Sequence, residues 1–450
     1  MENHQRKINI FIPIEIIKRE LLSKVILAYF IINNNQNIKT RCYIGSKSQI
    51  KKLISFKKSY GGIFIYKGSL SEYHAIKLKK KVEKFIILDE ELGPTTIQFL
   101  GNAMNSRLWP GTEKYIDRFY LIGKKACDVG RKVYPKLDKK IRMTGWPRVD
   151  LWRPEFNYLY KNSIKDLKKN YGNFILFSSD FTFTSIERIK YEEEFWKNTK
   201  WEEKYKLNRA KKVFLEFQEN LKLIRQLDAR TDLPQIIIRP HPSDDLLAWK
   251  KISKSLKRIK IVFKGEVSSW VYASNGVLHR GCTSAIEAYM AGIQTGYIVT
   301  NNNWLRKSLP FKVSQHLYGL NEIVEFCKNN INKNLLPPKD YIEEFKNSIH
   351  IVKDKYACEI IAEDMLKDSI TEKSCKLSFF EKKLDDFKII IIKIKSFIIR
   401  LAKKYNSGVM MPNKMEGGIN KKNISEIFKN FKKDHNLKFK EVLKDCVEIE

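Results

Sequence analysis

An arginine and a histidine stand together where an apolar run of the sequence ends. In the segment PQIIIRPHPSDD, Arg239 and His241 directly follow Ile236–Ile238, and a proline follows each of them. Proline interrupts helices and strand ladders, so the predicted strand ends here. A cation beside an imidazole suits a phosphate through charge-assisted hydrogen bonds. The alternative is an ordinary turn in which Arg239 pairs with Asp244 or Asp245, and this motif alone slightly favours the turn.

A second candidate is the segment HRGCTSAIEAYMAG, which combines small residues with a predicted helix start. Gly281 permits close approach of the backbone, while Thr283 and Ser284 are residue types that cap helices. The free N–H groups and positive dipole end of such a helix attract an anion. Glu287, one turn further on, is placed to reach ribose hydroxyls. A capped helix without a ligand is the alternative interpretation.

The third candidate is acidic. Asp89, Glu90 and Glu91 end an apolar run in the segment LDEELGP. Acidic runs are usually solvated turns, yet a carboxylate that faces a cleft is what a general base requires. The fourth candidate, TGWPRVDLWRPE, contains Gly145, Arg148, Asp150 and Arg153 near the predicted crossover between domains. It is at least equally well explained as a rigid linker with an Arg–Asp pair.

Short apolar segments that alternate with helical patterns must position these residues. The predicted strands are INIFIPI, TRCYIG, GIFIYKG, VEKFIILD, RFYLIG, IRMTG, NFILFSSDF, IIIRPHP, IKIVFKG, GVLHRG and TGYIVT. The pattern Glu15–Ile32 predicts a helix, and a long charged helical segment is predicted over 187–227. Such alternation predicts an α/β fold with parallel sheets, and ligands bind beyond the carboxyl ends of such strands.

The chain divides into three predicted parts. Residues 1–150 and 151–376 form two Rossmann-like domains, and 377–450 form a lysine-rich helical tail. The tail begins with an apolar helical stripe made of Phe380, Leu384, Phe387, Ile391, Ile394, Ile398 and Leu401. A basic amphipathic helix of this kind lies on an anionic membrane surface, or packs on the domain or on a coiled-coil partner. The two interpretations stand about level.

Composition limits the classes of protein that remain. The 450 residues carry a net charge of +34, which favours polyanionic partners. The seven cysteines are scattered and odd in number, which predicts reduced thiols and neither a disulfide framework nor a zinc site. No signal peptide and no membrane span of roughly 18 apolar residues is predicted. The lysines are spread, and no nucleic-acid-binding motif is present, so no nucleic-acid partner is expected.

Five segments in order resemble a known family: IPIEIIKRELLSKVILAY, GWPRVDLWRPEF, YGNFILFSSDF, RPHPSDDLLAWKK and VLHRGCTSAIEAYMAG. Their order and spacing are similar to those of the bacterial surface carbohydrate (surface polysaccharide) biosynthesis proteins, over about Ile8 to Asn330. The resemblance implies a GT-B fold. It also implies motifs similar to those of bacterial sialyltransferases and of the transferases of CMP-activated Kdo and nonulosonic acids.

The resemblance also implies roles for individual residues. His241 and Pro242 match an HP motif that touches the donor phosphate, and Thr283 with Ser284 matches a hydroxyl pair on that phosphate. The run Asp89–Glu91 matches the acidic motif that supplies the base, with Glu90 or Glu91 preferred. It departs from the family because Leu92 intervenes before Gly93. Residues expected at the acceptor or at the domain interface are Arg19, Glu20, Gly145, Arg148 and Asp150.

The predicted activity is a metal-independent GT-B transfer of an acidic sugar, of sialic, nonulosonic or Kdo type, from a CMP-linked donor. The acceptor would be a surface polysaccharide or a lipid-linked glycan, no cofactor is expected, and Arg239, Gly281 and Glu287 would help to hold the nucleotide sugar. The expected location is the cytoplasm, with possible peripheral contact between the tail and the inner face of the membrane. Alternatives are a CDP-glycerol-type polyol phosphotransferase, a UDP-sugar epimerase as a weaker rival, and a non-catalytic scaffold for glycan assembly.

Overall fold

The computed structural model describes most of the chain. The described residues are 8–34, 38–56, 62–68, 71–93, 95–197, 203–241, 244–300, 308–329, 340–367, 414–431 and 436–450. Pro242 and the apolar stripe predicted over 380–401 lie outside these residues.

Strands and helices alternate along most of the described chain. The strands are β1 (Ile8–Ile14), β2 (Thr40–Ser46), β3 (Ile63–Tyr66), β4 (Lys84–Leu88), β5 (Arg118–Leu121), β6 (Ile141–Met143), β7 (Phe174–Ser178), β8 (Gln235–Arg239), β9 (Lys260–Ile261), β10 (Gly276–His279), β11 (Thr295–Ile298), β12 (Gln315–Leu317), β13 (Phe439–Leu443) and β14 (Cys446–Ile449). Each predicted strand is present, while β12, β13 and β14 were not predicted.

The helices run between these strands. They are α1 (Ile17–Ile32), α2 (Lys47–Phe56), α3 (Glu72–Lys79), α4 (Ile97–Asn105), α5 (Lys124–Val133), α6 (Pro147–Asp150), α7 (Lys161–Tyr171), α8 (Ile186–Lys197), α9 (Glu203–Asp228), α10 (Leu246–Ser253), α11 (Val267–Ala273), α12 (Ser284–Met290), α13 (Leu309–Lys312), α14 (Leu320–Asn329), α15 (Glu343–Ser348), α16 (Ala357–Lys367) and α17 (Lys421–Phe431). The long helical segment predicted over 187–227 corresponds to α8 and α9.

Two sheets form the frame of the molecule. The first has the strand order β13-β14-β2-β1-β3-β4-β5-β6, and the second has the order β12-β11-β10-β7-β8-β9. Strands β1 to β12 pair in parallel. Every residue of β3, β4 and β7 is buried. This is typical of parallel sheets, because helices cover both of their faces. The predicted α/β class of fold, with two parallel-stranded sheets, is confirmed.

The chain returns to the first sheet after it completes the second. Phe345 and Ile349, at the end of α15, and Ile361 and Met365, on α16, belong to the hydrophobic core of the first sheet. Residues 340–367 therefore pack against the first sheet, although the sequence alone assigned them to the second domain.

The C-terminal residues complete the edge of the first sheet. Strand β14 pairs antiparallel with β2, with Cys446 opposite Gly45 and Ile449 opposite Cys42. Helix α17 packs against α1, and the Phe431 ring centroid lies 5.1 Å from that of Tyr29. The expectation of a purely helical tail is wrong for residues 439–449, because β14 pairs with β2 at the edge of the sheet and buries Cys446, Val447 and Ile449. No helix among the described residues is long and apolar enough to span a membrane.

Candidate active site

A cavity of about 960 Å³ lies where the carboxyl ends of both sheets meet. Residues after four strands of the first sheet line it: Glu15 after β1, Lys67 after β3, Glu90 and Glu91 after β4, and Trp146 and Arg148 after β6. Residues in or after four strands of the second sheet face them: Ser178–Asp180 from β7, Arg239–His241 from β8, Phe263 and Glu266 after β9, and Gly281–Ser284 after β10. This is where an open parallel sheet places a ligand.

Arg239 ends β8, and no carboxylate among the described residues lies at hydrogen-bonding distance from its guanidinium. Its guanidinium donates to the carbonyl oxygens of Lys264 and Gly265 and lies 5.0 Å from the Trp270 ring centroid. Burial lowers the pKa of Arg239 to about 10, although the nearby charge of Glu266 opposes this. The alternative in which Arg239 pairs with Asp244 or Asp245 is therefore not what the structure shows, and the guanidinium remains beside the cavity.

The two aspartates of the RPHPSDD motif, Asp244 and Asp245, stabilise the fold rather than pairing with Arg239. Asp244 is fully buried and accepts hydrogen bonds from the Ser179 hydroxyl (2.5 Å), the Trp249 indole (3.0 Å) and the His241 backbone N–H (3.1 Å). It therefore joins the ends of β7 and β8 and fixes the backbone of His241. Asp245 caps α10 by accepting from the Leu247 backbone N–H.

His241 carries its imidazole at the cavity wall. Burial lowers its pKa; the charges of Arg19 and Arg148 lower it further, while Asp180 and Glu91 oppose them. A neutral imidazole can donate one hydrogen bond to an anionic ligand and accept another from a neighbouring group.

The turn between β10 and α12 differs from its prediction. Gly281 has a φ of 147°, a region in which residues with a side chain are rarely found. Thr283 is at the N-cap of α12, but its side chain makes no capping hydrogen bond. The predicted capping by Thr283 is thus wrong, because this residue has a helical backbone (φ −64°, ψ −16°) rather than the extended one typical of caps. Ser284 is buried and lines the cavity.

Glu287 is a carboxylate buried in the cavity wall. Only 1% of the residue is exposed, Ser268 hydrogen-bonds to the carboxylate, and Oε1 has no hydrogen-bond partner among the described residues. Burial and, to a smaller extent, the charge of Glu266 raise the pKa of Glu287 to about 7, against the opposing Ser268 hydrogen bond and the positive charge of Arg148. Such a group can accept a ligand hydroxyl or exchange a proton near neutral pH.

The three carboxylates of the acidic motif occupy different environments. Asp89 lies behind the wall, where it accepts from the backbone N–H groups of Glu91 and Leu92 and pairs with Arg107. Burial raises the pKa of Asp89 despite the charge of Arg107. The structure therefore places Asp89 outside the cavity lining, because its carboxylate is used to close the loop.

Glu90 and Glu91 both line the cavity. Glu90 is 5% exposed and forms an ion pair with Lys24, with 2.5 Å between Nζ and Oε2. Glu91 is exposed and contacts three cations: Arg107 at 2.8 Å, Lys67 at 3.0 Å and Arg19 at 3.3 Å. Partial desolvation of the carboxylate at the cavity wall would by itself raise the pKa of Glu91, but these cations hold it well below its usual range.

Arg19 lines the cavity, whereas its neighbour Glu20 is buried behind it. Glu20 accepts from the backbone N–H of Glu15 at 2.8 Å and from Lys67 Nζ at 3.0 Å. Burial opposes ionisation of Glu20, yet the charges of Lys67 and Arg19 lower its pKa. Glu20 thus supports Lys67 rather than facing a ligand.

The GWPRVD segment is divided between the cavity and the fold. Gly145 has a φ of 77°, and a Cβ there would lie 2.8 Å from the carbonyl oxygen of His350. Asp150 accepts from the backbone N–H groups of Ala357 (2.9 Å) and Cys358 (3.0 Å) at the start of α16. Neither residue lines the cavity, because both hold the returning chain. Arg148 does line it.

Several residues of the cavity were not predicted. Lys67, Asp180 and Trp152 follow predicted elements, so proximity to a strand end was an available signal for the first two. Asn423, Glu426 and Asn430 come from α17, and their sequence gives no sign that this helix returns to the cleft. Among the described residues, no group of three or more His, Cys, Asp or Glu side chains is arranged to hold a metal ion.

Comparisons with known proteins concern the fold. No protein-family model matches the chain, and no curated protein is significantly similar to it. The UDP-GlcNAc 2-epimerase of Methanocaldococcus jannaschii, solved with UDP-GlcNAc and UDP, is 15% identical with a TM-score of 0.45, and the match covers 80% of this chain and 100% of that one. The epimerase of Neisseria meningitidis bound to UDP-GlcNAc is 12% identical with a TM-score of 0.44, and the match covers 80% and 100%. The wall teichoic acid polymerase TagF is 10% identical with a TM-score of 0.44, and the match covers 81% and 89%.

Proposed function

We propose that this chain is a glycosyltransferase that binds a CMP-linked acidic sugar in the cavity. It transfers that sugar, of sialic, nonulosonic or Kdo type, to a hydroxyl of a surface polysaccharide or a lipid-linked glycan. The observation that carries the proposal is the convergence of two sets of strand ends on one cavity, with Arg239 and His241 on one side and Glu90 and Glu91 on the other. The CMP-linked donor class comes from the resemblance of the sequence motifs.

The second sheet supplies the donor side. Arg239, His241 and the Gly281–Ser284 turn surround the space for the nucleotide phosphate, and Glu287 accepts from ribose hydroxyls. Charged and polar donors fixed at this position stabilise the negative charge that develops on the departing nucleotide. Removal of one such donor typically costs a factor of about 10²–10³ in rate.

The first sheet supplies the acceptor side. A general base requires a carboxylate that can take up a proton during the reaction. Glu91 is surrounded by three cations, which makes it a weak base, whereas Glu90 contacts one cation, Lys24. We assign the role of general base to Glu90. Glu91 instead positions Lys67 and Arg19. In a reaction that retains configuration, the same carboxylate would instead position the donor or act as the nucleophile.

The direct test measures release of CMP from CMP-N-acetylneuraminate and CMP-Kdo, together with glycan labelling in cell extracts. His241→Ala and Glu90→Gln are each expected to lower turnover by about 100-fold or more, while thermal protection by CMP persists in Glu90→Gln. Arg230→Met is the matched control, because Arg230 is an exposed residue paired with Asp232.

The outcomes separate the alternatives. Protection from thermal unfolding by CDP-glycerol but not by a CMP-sugar would replace the proposal with a polyol phosphotransferase. Protection by UDP-GlcNAc alone would favour an epimerase. Full transfer activity in extracts of cells that carry His241→Ala would contradict the catalytic role and favour a scaffold.

We further propose a cytoplasmic protein that contacts the inner membrane face through the basic segment 377–404. Helix α17 packs into the core beside the first sheet, and β14 is a strand of that sheet. A deletion that extends to Glu450 would therefore damage the fold. Exchange of the lysines in 382–404 for glutamine is the cleaner test, read by fractionation and by binding to vesicles containing phosphatidylglycerol. Unchanged membrane association would contradict the proposal.

A further inference from the structure

Arg148 differs from three other cations that line the cavity, Arg19, Lys67 and Arg239. Arg19 pairs with Glu20 and Glu91, Lys67 pairs with three carboxylates, and Arg239 donates to two carbonyl oxygens. For Arg148, no ion pair or hydrogen bond to a described residue is found, and its Nε is buried without a partner. A guanidinium is always charged, so an unpaired one beside a cavity calls for an anion.

Two tryptophans hold this guanidinium in place. Its central carbon lies 5.3 Å from the Trp146 ring centroid and 5.5 Å from that of Trp152. Both distances are within the range of cation–π contacts, and both tryptophans are almost fully buried. A Cβ on Gly93 would lie 3.0 Å from Trp146 Cη2, so the ring packs directly on the loop that carries Glu90 and Glu91. The arginine is therefore preorganised next to the acceptor side.

A second donor beside Arg148 is also unused. The indole Nε1 of Trp146 is buried without a hydrogen-bond partner among the described residues, and Trp146 lines the cavity together with Arg148. A buried N–H without an acceptor is costly unless a ligand supplies one. Two neighbouring donors without acceptors fit an oxoacid group with at least two acceptor oxygens.

Arg148 lies near several charged groups, but none of those among the described residues forms a salt bridge with it. Burial and the positive charge of Arg19 lower its pKa, while Glu90, Glu287 and Glu20 act in the opposite direction. Those carboxylates act on it through space, and none of them forms a salt bridge with it. Arg19 is already paired with Glu20 and Glu91.

We propose that Arg148, held by Trp146 and Trp152, is an anion-binding subsite of the cleft that takes a carboxylate or phosphate group of the ligand. The subsite is separate from the phosphate position assigned to Arg239 and His241, and it rests on the proposed function in so far as the ligand is a nucleotide-linked donor. A carboxylate would come from an acidic sugar, and a phosphate from a second phosphoryl group or from a phosphorylated acceptor.

Calorimetric titrations of cytidine, CMP, CDP-glycerol and CMP-N-acetylneuraminate into wild-type protein and Arg148→Met distinguish these sources. Selective loss of affinity for CMP-N-acetylneuraminate, by about 30-fold or more with CMP unaffected, assigns the subsite to the sugar carboxylate. If Arg148→Met also loses affinity for CDP-glycerol, the subsite is assigned to a phosphate group. Equal affinity of both proteins for every ligand they bind would overturn the subsite. Arg142→Met, which changes an arginine paired with Asp364 away from the cavity, is the matched control.

A readout without nucleotide keeps this inference separate from the proposed function. Inorganic phosphate and pyruvate, titrated at constant ionic strength, should change the tryptophan fluorescence of the wild type, and the change should be lost in Arg148→Met. If no nucleotide binds but this response occurs, the proposed function fails and the subsite stands. If the wild type gives no response while CMP-linked sugars bind equally to Arg148→Met, the subsite fails and the proposed function stands.

Stability provides a check against a purely structural role. An unpaired buried charge destabilises the free protein, so Arg148→Met should raise the melting temperature of ligand-free protein. A lower melting temperature with unchanged ligand affinity would mean that the arginine only supports the tryptophans. Arg148→Lys keeps the charge but loses the planar, bidentate guanidinium, so it should bind the anionic ligand about 10-fold more weakly. This variant replaces Arg148→Met in the titrations if Arg148→Met does not fold. Trp146→Phe, which keeps a ring but loses the N–H, should also bind more weakly.

Discussion

Carboxylates on the two sides of the cleft are stabilised in different ways. On the first sheet, Glu20 and Glu91 are surrounded by lysine and arginine, and their pKa values are lowered. On the second sheet, Asp244 and Glu287 are buried with hydroxyl and N–H donors, and burial raises the pKa of each to about 7. One side therefore carries fixed ion pairs, while the other carries carboxylates that change charge near neutral pH.

This difference indicates a division of labour. Compensated charges hold a rigid geometry over a wide pH range, at the cost of weak basicity. Carboxylates that are hydrogen-bonded but unpaired destabilise the fold when ionised, and they gain from a ligand that supplies donors. Glu20 and Glu91 are thus held by cations of the protein, whereas Glu287 keeps one oxygen, Oε1, without a hydrogen-bond partner among the described residues.

The largest expected effect is on the compensated side. Arg107→Met removes the partner of Asp89 and Glu91 and leaves a buried carboxylate uncompensated, so the free energy of unfolding should fall by about 3–5 kcal/mol. Urea denaturation at pH 7 measures it. The double variant Arg107→Met with Asp89→Asn should recover part of the loss. A loss no larger than that of Arg230→Met, an exposed pair, would mean that the network is not a structural one.

The next effect has the opposite sign and lies on the second side. Glu287 has a pKa raised from its usual 4.5 to about 7, so between these pH values the folded protein holds a proton that the unfolded chain releases. Its contribution to stability is complete below about pH 4.5 and is lost as the pH rises through 7. Glu287→Gln, which stays neutral, should therefore be more stable than wild type at pH 8 by about 2–4 kcal/mol and equal to it at pH 4. Equal stability at pH 8 would contradict the raised pKa.

Glu91→Gln is the counterpart on the first side. The lowered pKa of Glu91 means that its stabilisation is present above its usual pKa of 4.5 and is lost as the pH falls further. The variant should be less stable than wild type at pH 8 by roughly 1 kcal/mol, because solvent screens this exposed group. Melting curves at pH 8 and pH 3 test the sign, and a variant that is more stable at pH 8 would reverse the comparison.

The smallest effect compares two helix starts on the second side. Asp245 caps α10, so Asp245→Ala should cost about 1 kcal/mol. Thr283 makes no capping bond on α12, so Thr283→Ala should change stability by less than about 0.5 kcal/mol. Urea denaturation of both variants decides this. Equal losses would show that Thr283 caps its helix in solution.

Sequence patterns predicted the fold more completely than they predicted the site. Apolar runs such as those of β1 and β4 predict their strands because both faces are buried, and the strand ends then locate Arg239 and His241. The residue type of a carboxylate does not determine its partner, however. Asp89 and Asp150 have the same residue type as a catalytic acid, but Asp89 closes its own loop and Asp150 caps a helix some 200 residues further on.

Two further features depend on long-range packing. The pairing of β14 with β2 and the entry of Asn423 and Glu426 into the cavity join distant parts of the chain, which short patterns do not encode. The unpaired state of Arg148 is likewise visible only once its neighbours are placed.

The position of β14 has a consequence for synthesis on the ribosome. The edge of the first sheet at β2 is covered by a strand that emerges about 400 residues later. At about 5–20 residues per second, that edge remains open for roughly 20–80 s. An open strand edge is a template for pairing with other chains, so the nascent protein passes through an aggregation-prone interval that ends when β14 pairs with β2.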